Sequence, residues 1–249
     1  MIIWRPIRSL YEYFVLYGGL LFFAVICLAW SLPASLLRHL LPHRTGLRVG
    51  RYAIMLVFRT YLAVIRASGL VKLDLKALDV LRDEPSLVIV TNHPALIDVV
   101  LVGSRLPNFV CVLKAALLDN PLLGGGASMA GYVRNDSTAM LVREAGVALR
   151  EGAQLLIFPE GTRTVRDPVN EFKGGFALVA KKAGVPVQTV FLEASSPFLG
   201  KNWSFFYKPE FPLRYTVRLG KRFEVDTDAK TFAADLERYY REQMTQKQT

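Results

Sequence analysis

The pattern of apolar and polar positions changes character near residue 70. Residues 13 to 37 carry no charged side chain, and FVLYGGLLFFAVICLAWSL within them is 19 residues of nearly unbroken apolar sequence. As a helix rising about 1.5 Å per residue, that run is just long enough to cross a bilayer core of about 30 Å. It exceeds the apolar stretch of about 7–15 residues typical of a signal peptide, and no small-residue cleavage site precedes Pro33. The next segment, RVGRYAIMLVFRTYLAVIRAS, predicts a second helix. On it Arg48, Arg51, Arg59 and Arg66 share a stripe about 80° wide in otherwise largely apolar sequence. That fits a helix lying in the headgroup plane with its guanidinium groups toward lipid phosphates, and also a core-packed helix with one solvated face. Residues 10 to 67 are therefore expected to form two helices joined by SLPASLLRHLLPHRTG, as a span or as a re-entrant hairpin in one leaflet.

Beyond residue 70 short apolar runs alternate with longer helical ones. The pattern predicts strands near 86–91, 109–113, 131–134, 154–158 and 187–192, and helices near 97–106, 137–151, 175–183 and 229–243. Asp136 and Ser137 supply cap-type residues for the helix that Gly152 is placed to stop. Residues 194 to 226, rich in aromatics, Pro and Lys, read as a loop followed by a hairpin. Strands alternating with helices imply an α/β fold with a mixed, largely parallel sheet flanked by helices. The expected division is an N-terminal membrane-anchoring helical segment over 1–70 and an α/β domain over 71–249.

Composition narrows the partners. The chain is 52% hydrophobic, with a mean hydropathy of +0.28 and a net charge of +10. The first 70 residues hold eight arginines, no lysine and one acid, Glu12. A basic excess suits nucleic acid or anionic lipid, and here the cations are embedded in apolar sequence, which favours lipid over nucleic acid. Cys27 and Cys111 lie far apart in apolar stretches, so neither a disulfide framework nor a metal site is indicated.

Candidate chemistry collects where strands are expected to end, the edge at which α/β proteins place their working groups. In SLVIVTNHPALIDVV, His93 follows a strand and Asp98 stands one turn into the next helix. Asp98 could fix the imidazole tautomer and leave the other ring nitrogen as a general base, or the two could be a structural pair. In LIFPEGTRT a strand breaks at Pro159 into Glu160, Gly161, Thr162 and Arg163; Gly161 permits positive φ, and Arg163 offers a planar fork for a phosphate. GYVRND ends a short strand with Arg134, FKGGFALVA places Gly174 and Gly175 at a helix start, and Lys114 follows the strand NFVCVL. A serine hydrolase is not indicated, because the G-x-S-x-G elbow is missing.

NHPALID resembles the N-H-x4-D signature of the glycerolipid acyltransferases, the lysophosphatidate-acyltransferase-like superfamily, and FPEGTRT resembles their F-P-E-G-T-R-S/T block. GYVRND is similar to their G-x-x-x-R block and VPVQTV, residues 185 to 190, to their V-P-V/I block, all in the family's order. The resemblance implies transfer of an acyl group from acyl-CoA or acyl-ACP, as co-substrate and without a further cofactor or metal, to a hydroxyl of a lysophospholipid such as lysophosphatidate. It implies His93 as general base, Asp98 as its orienting group, and Arg134, Glu160, Gly161, Thr162 and Arg163 as residues that shape the acceptor site; Lys114 joins them by its place at the same edge. Backbone amides after His93 are the expected donors to the oxyanion. Membrane lipids, a lysolipid and an acyl carrier protein are the partners this suggests, with the active site on the cytoplasmic side of a membrane, the inner membrane in a bacterium. The blocks depart from the commonest form at PALI and YVRND, which leaves open a specialised acceptor such as lyso-ornithine lipid. A catalytically idle lipid-binding protein of the same fold is the other alternative.

Overall fold

The strand β2 (Val88–Thr91) is buried at every position, and so is β5 (Gln154–Ile157), as expected of strands covered on both faces. They are neighbours in a sheet of order β1-β7-β6-β2-β5-β3-β4, with β1 at Val71–Asp74, β3 at Phe109–Leu113, β4 at Val133–Arg134, β6 at Val187–Ala194 and β7 at Leu213–Phe223. In this computed structural model, which describes residues 4–120, 124–204 and 206–246, all pairings are parallel except β6 with β7.

The chain leaves β2 through α3 (Asp98–Gly103) toward β3, and leaves β3 through α4 (Ala115–Leu118) and α5 (Gly124–Met129) toward β4. It returns in the opposite direction through α6 (Thr138–Arg150) to β5 and through α7 (Gly175–Ala183) to β6. Right-handed crossovers therefore put α3, α4 and α5 on one face and α6 and α7 on the other. The final helix, α8 (Ala229–Thr245), joins α7, and its buried Tyr240 donates to Val90 O at 2.7 Å. Ser137 caps α6 by accepting from Met140 N, and Gly184, at φ +64, ends α7.

The two N-terminal helices, α1 (Trp4–Leu40) and α2 (His43–Ala67), cover the α3–α5 face. Leu16 of α1 and Ile54, Tyr61, Leu62 and Ile65 of α2 belong to the same buried core as the strands. Contact is closest at the glycine run of α5: a Cβ on Gly125 would run into the Ser31 carbonyl and the Ser35 hydroxyl. On its outer side α1 exposes Leu10, Phe14, Leu21, Leu36 and Leu40, each 67–77% accessible, a strip that water disfavours and lipid does not. Among the described residues it is the one helix long and apolar enough to cross a membrane, and its 37 residues extend about 55 Å.

The structure corrects three expectations. Residues 194–226 do not form a hairpin of their own; after a loop, the 11-residue β7 pairs back on β6 and also receives β1, which the sequence pattern did not predict. The strand expected from residue 131 begins at Val133, because Gly131, at φ +70, completes a turn. Arg51 does not join a lipid-facing stripe. It is 3% exposed, donating from Nε to Ala130 O at 3.0 Å and from Nη1 to Asn108 Oδ1 at 2.9 Å, so it ties α2 to the turn before β4 and the start of β3. Hydrogen bonds to a charged group contribute about 1.5–3 kcal/mol each, and Arg51→Ala, which loses two, is expected to destabilise the fold by about 3–6 kcal/mol, measured by thermal unfolding in detergent. Neutralising Arg48, Arg59 and Arg66 together should leave that midpoint unchanged and weaken binding to anionic vesicles, at about 1 kcal/mol per charge. Unchanged vesicle partitioning would remove lipid contact from this face of α2.

Candidate active site

Register places the two principal blocks side by side. Val90 pairs with Ile157 in the parallel β2–β5 ladder, and three further steps along each strand reach His93 and Glu160. The contact is direct: His93 N donates to Glu160 Oε1 at 3.0 Å, and Thr164 N donates to His93 O at 2.8 Å. Both ends of the histidine's backbone are thus held by the second block. Asn92 does the same toward β6, accepting from Leu192 N and donating to Leu192 O, each at 2.8 Å.

The imidazole is held on two sides. His93 Nδ1 lies 2.8 Å from Asp98 Oδ2, and Phe158 stacks on the ring with centroids 3.8 Å apart and planes 20° apart. Asp98 Oδ2 also accepts from Ala95 N at 2.8 Å, which fixes the carboxylate. With Asp98 ionised, Nδ1 carries the proton and Nε2 is left as the basic nitrogen. Burial holds the Asp98 carboxyl above its ordinary range, against the opposing effect of its bonds to His93 and Ala95 N. A positive imidazolium beside it relieves the cost of keeping that carboxylate charged.

The ring opens on a cavity of about 790 Å³, within the range of about 300–1,000 Å³ of small-molecule sites. Its far wall is apolar and comes from the N-terminal helices, through Phe23, Cys27 and Trp30 of α1 and Ile54, Val57 and Phe58 of α2. Its near rim is cationic, with Lys114, Arg163, Lys173 and Lys201. The three lysines form no ion pair among the described residues. Gly161, at φ +66, sets its backbone against Lys173, whose Nζ would lie 3.0 Å from a Cβ there. Cys111 takes no part, because burial within β3 pushes its thiol up to about 12.

The candidate residues divide into two groups. His93, Lys114, Gly161, Thr162 and Arg163 line this cavity together, with Asp98 behind the histidine. Arg163 spends Nη1 on Leu199 O and Gly200 O, at 2.9 and 2.8 Å, which pins the loop after β6 over the site. Glu160 and Arg134 are not among the lining residues. Glu160 is 3% exposed and accepts from His93 N, Thr164 Oγ1 and Asn170 N. Arg134 forks onto Asp119, at 2.7 and 2.9 Å, and reaches Asp136 at 2.9 Å. Of the amides that follow His93, that of Ala95 is spent on Asp98 Oδ2 and that of Leu96 on Leu199 O, so neither is an oxyanion donor. Lys173, Lys201 and Phe158 were not singled out by sequence reasoning. Phe158 directly precedes the P-E-G-T-R block, and Lys173 stands directly before the Gly174–Gly175 helix start, so position could have found both.

Comparison with known proteins bears on family and fold. The Acyltransferase family model matches residues 72–193. A chloroplastic 1-acyl-sn-glycerol-3-phosphate acyltransferase of Arabidopsis thaliana is 31% identical over 128 residues, 49% of this chain and 36% of the relative. The lyso-ornithine lipid O-acyltransferase of Pseudomonas aeruginosa is 33% identical over 123 residues, 45% of this chain and 47% of the relative. The chain thus spans between a third and a half of the length of these relatives. A 1-acyl-sn-glycerol-3-phosphate acyltransferase of Pseudomonas aeruginosa matches more extensively, over 83% of this chain and 79% of its own, at 22% identity. Among solved structures, the 1-acyl-sn-glycerophosphate acyltransferase PlsC of Thermotoga maritima superposes with a TM-score of 0.67 over 97% of this chain and 98% of that one, at 18% identity, a likeness of fold. The segment that carries His93, Asp98 and the F-P-E-G-T-R block, residues 72–193, is thus similar to the Acyltransferase family.

Proposed function

We propose that this protein transfers a fatty acyl group from a thioester donor, acyl-CoA or acyl-ACP, to a hydroxyl of a lysophospholipid, with lysophosphatidate as acceptor. The observation that carries this reading is the His93–Asp98 pair, with Nε2 on a cavity that has an apolar wall and a cationic rim. Nε2 takes the proton of the acceptor hydroxyl as its oxygen attacks the thioester carbonyl. The C–S bond then breaks, and the departing thiolate receives that proton from the imidazolium, which Asp98 stabilises. No acyl-enzyme intermediate is needed. The apolar wall takes hydrocarbon chain, and Lys114, Lys173, Lys201 and the uncommitted nitrogens of Arg163 serve the acceptor's phosphate and the developing oxyanion. With α1 lodged in lipid, the site stands at the cytoplasmic boundary of the membrane, where the basic residues after the apolar run, Arg38, Arg44 and Arg48, are expected to lie.

A second reading has its own support. Arg134, which the resemblance assigned to the acceptor site, is held by Asp119 and Asp136, and one relative is named for lyso-ornithine lipid. An acceptor with a different head group would fit a site in which that arginine is already neutralised. Mass spectrometry of products from purified protein, offered a panel of lysolipids with both donor types, separates these readings. Phosphatidate as the main product is the expected result. Preferential formation of ornithine lipid would establish the second reading, and absence of acylated product with every acceptor would leave an idle lipid-binding protein.

A further inference from the structure

Outside the active site, a cationic concave surface lies between α6 and α7. A groove of about 650 Å³ is lined from α6 by Thr138, Val142, Arg143 and Arg150 and from α7 by Leu178 and Lys182, and no carboxylate lines it. Arg150 and Lys182 make no ion pair among the described residues, and Arg143 stands 3.8 Å from Glu144, whose other carboxylate oxygen accepts from Arg134 N. Gly146 opens the floor, and Arg150 lies across it. Two aspects of its position matter. The groove is on the face of the sheet opposite α1 and α2, so a membrane held by those helices does not reach it. Its upper end is Thr138, which also lines the His93 cavity, so whatever docks in the groove abuts the mouth of the active site.

From these observations we infer that the α6–α7 groove docks an acidic carrier protein that delivers the acyl chain as a thioester. This rests on the acyl-transfer reading and assigns the donor to it. The spacing of the cations favours a helix over a nucleotide: from Thr138 to Arg150 the groove runs about 18 Å, and its charges are strung along it with Val142 and Leu178 between them. An anionic helix lies in such a groove with acids toward the cations and a small apolar strip on the floor. A phosphate would need donors that converge on one point. The carrier approaches from water and the acceptor from lipid, and the two meet at the cavity from opposite faces of the sheet.

The test reverses the groove's charge with Arg143→Glu, Arg150→Glu and Lys182→Glu, residues that touch neither His93 nor its cavity. Initial rates are measured with palmitoyl-CoA and with palmitoyl carried on a purified acyl carrier protein, using one lysolipid, and binding of the unacylated carrier is followed by titration. The expected result is a rise of about tenfold or more in KM for the acylated carrier, with palmitoyl-CoA kinetics unchanged, and a wild-type affinity for the carrier that falls steeply with salt. Equal loss with both donors, wild-type kinetics of the variant with the carrier, or no carrier binding by the wild-type protein would each overturn the proposal. The palmitoyl-CoA arm keeps the two readings apart: turnover there with no response to the carrier rejects the groove alone, and absence of turnover with either donor and every lysolipid of the panel rejects acyl transfer itself. Single Arg150→Gln and Lys182→Gln variants, each expected to shift carrier affinity in the same direction, answer the question if the triple variant does not fold.

Discussion

His93→Ala protein, purified and folded, is expected to transfer acyl groups more slowly than wild type by about 10²-fold to 10⁴-fold, the scale of a lost general base. In the proposed mechanism the imidazole carries the proton path, and without it Asp98 Oδ2 keeps its bond from Ala95 N. The His93 backbone is held by Glu160 and Thr164, and neither bond involves the ring. The unfolding midpoint should therefore move little. Asp98→Asn should lower kcat as well, because the Nδ1 contact that sets the tautomer would lose its charge, while KM for the lysolipid stays near wild type. Wild-type turnover by folded His93→Ala would reject His93 as the base.

Glu160→Ala is expected to act on the fold first. Its carboxylate collects three donors, His93 N, Thr164 Oγ1 and Asn170 N, at 3.0, 2.7 and 2.9 Å. Removing it leaves three donors in a buried turn without an acceptor, each costing about 1–3 kcal/mol, so about 3–9 kcal/mol in all. For a chain of this size each kcal/mol moves the midpoint by about 2–4 °C, and the expected fall is on the order of 10 °C. Activity should fall too, because the His93 peptide loses its anchor. An unchanged midpoint with only a raised KM for the lysolipid would return Glu160 to direct acceptor contact. Those two outcomes distinguish a residue that binds substrate from one that holds the base in place.

The parts of the fold most legible in the sequence were those with strong local signals. The cap at Ser137 and the stop at Gly152 bracket α6 to within a residue, and the fully apolar runs gave β2, β3 and β5. β1 was missed because VKLD is four residues long and half exposed, too short for an alternation to register. β7 was misread because its partners, β1 and β6, lie far from it in sequence, and only pairing reveals that one long strand serves both. Arg51 misled for a related reason: helical periodicity places a side chain on a face but cannot say what covers that face, and here the turn at Ala130 and Asn108 cover it. At the site, spacing was enough to bring His93 and Asp98 together. It could not separate Arg163, which reaches the cavity, from Glu160, which supports the turn beneath it. That difference depends on which way each side chain leaves the turn.

The docking of α1 has a practical consequence. Its outer side presents a strip of exposed apolar residues, and its inner side chains Phe23, Cys27 and Trp30 line the His93 cavity. Anchorage and enclosure are therefore inseparable by truncation: cutting away the first helix to obtain a water-soluble enzyme would unroof the cavity and expose the Gly125 seat at the same time. In the membrane placement proposed above, bilayer thickness and lateral pressure bear on the outside of the same helix, so the membrane itself becomes a determinant of cavity shape.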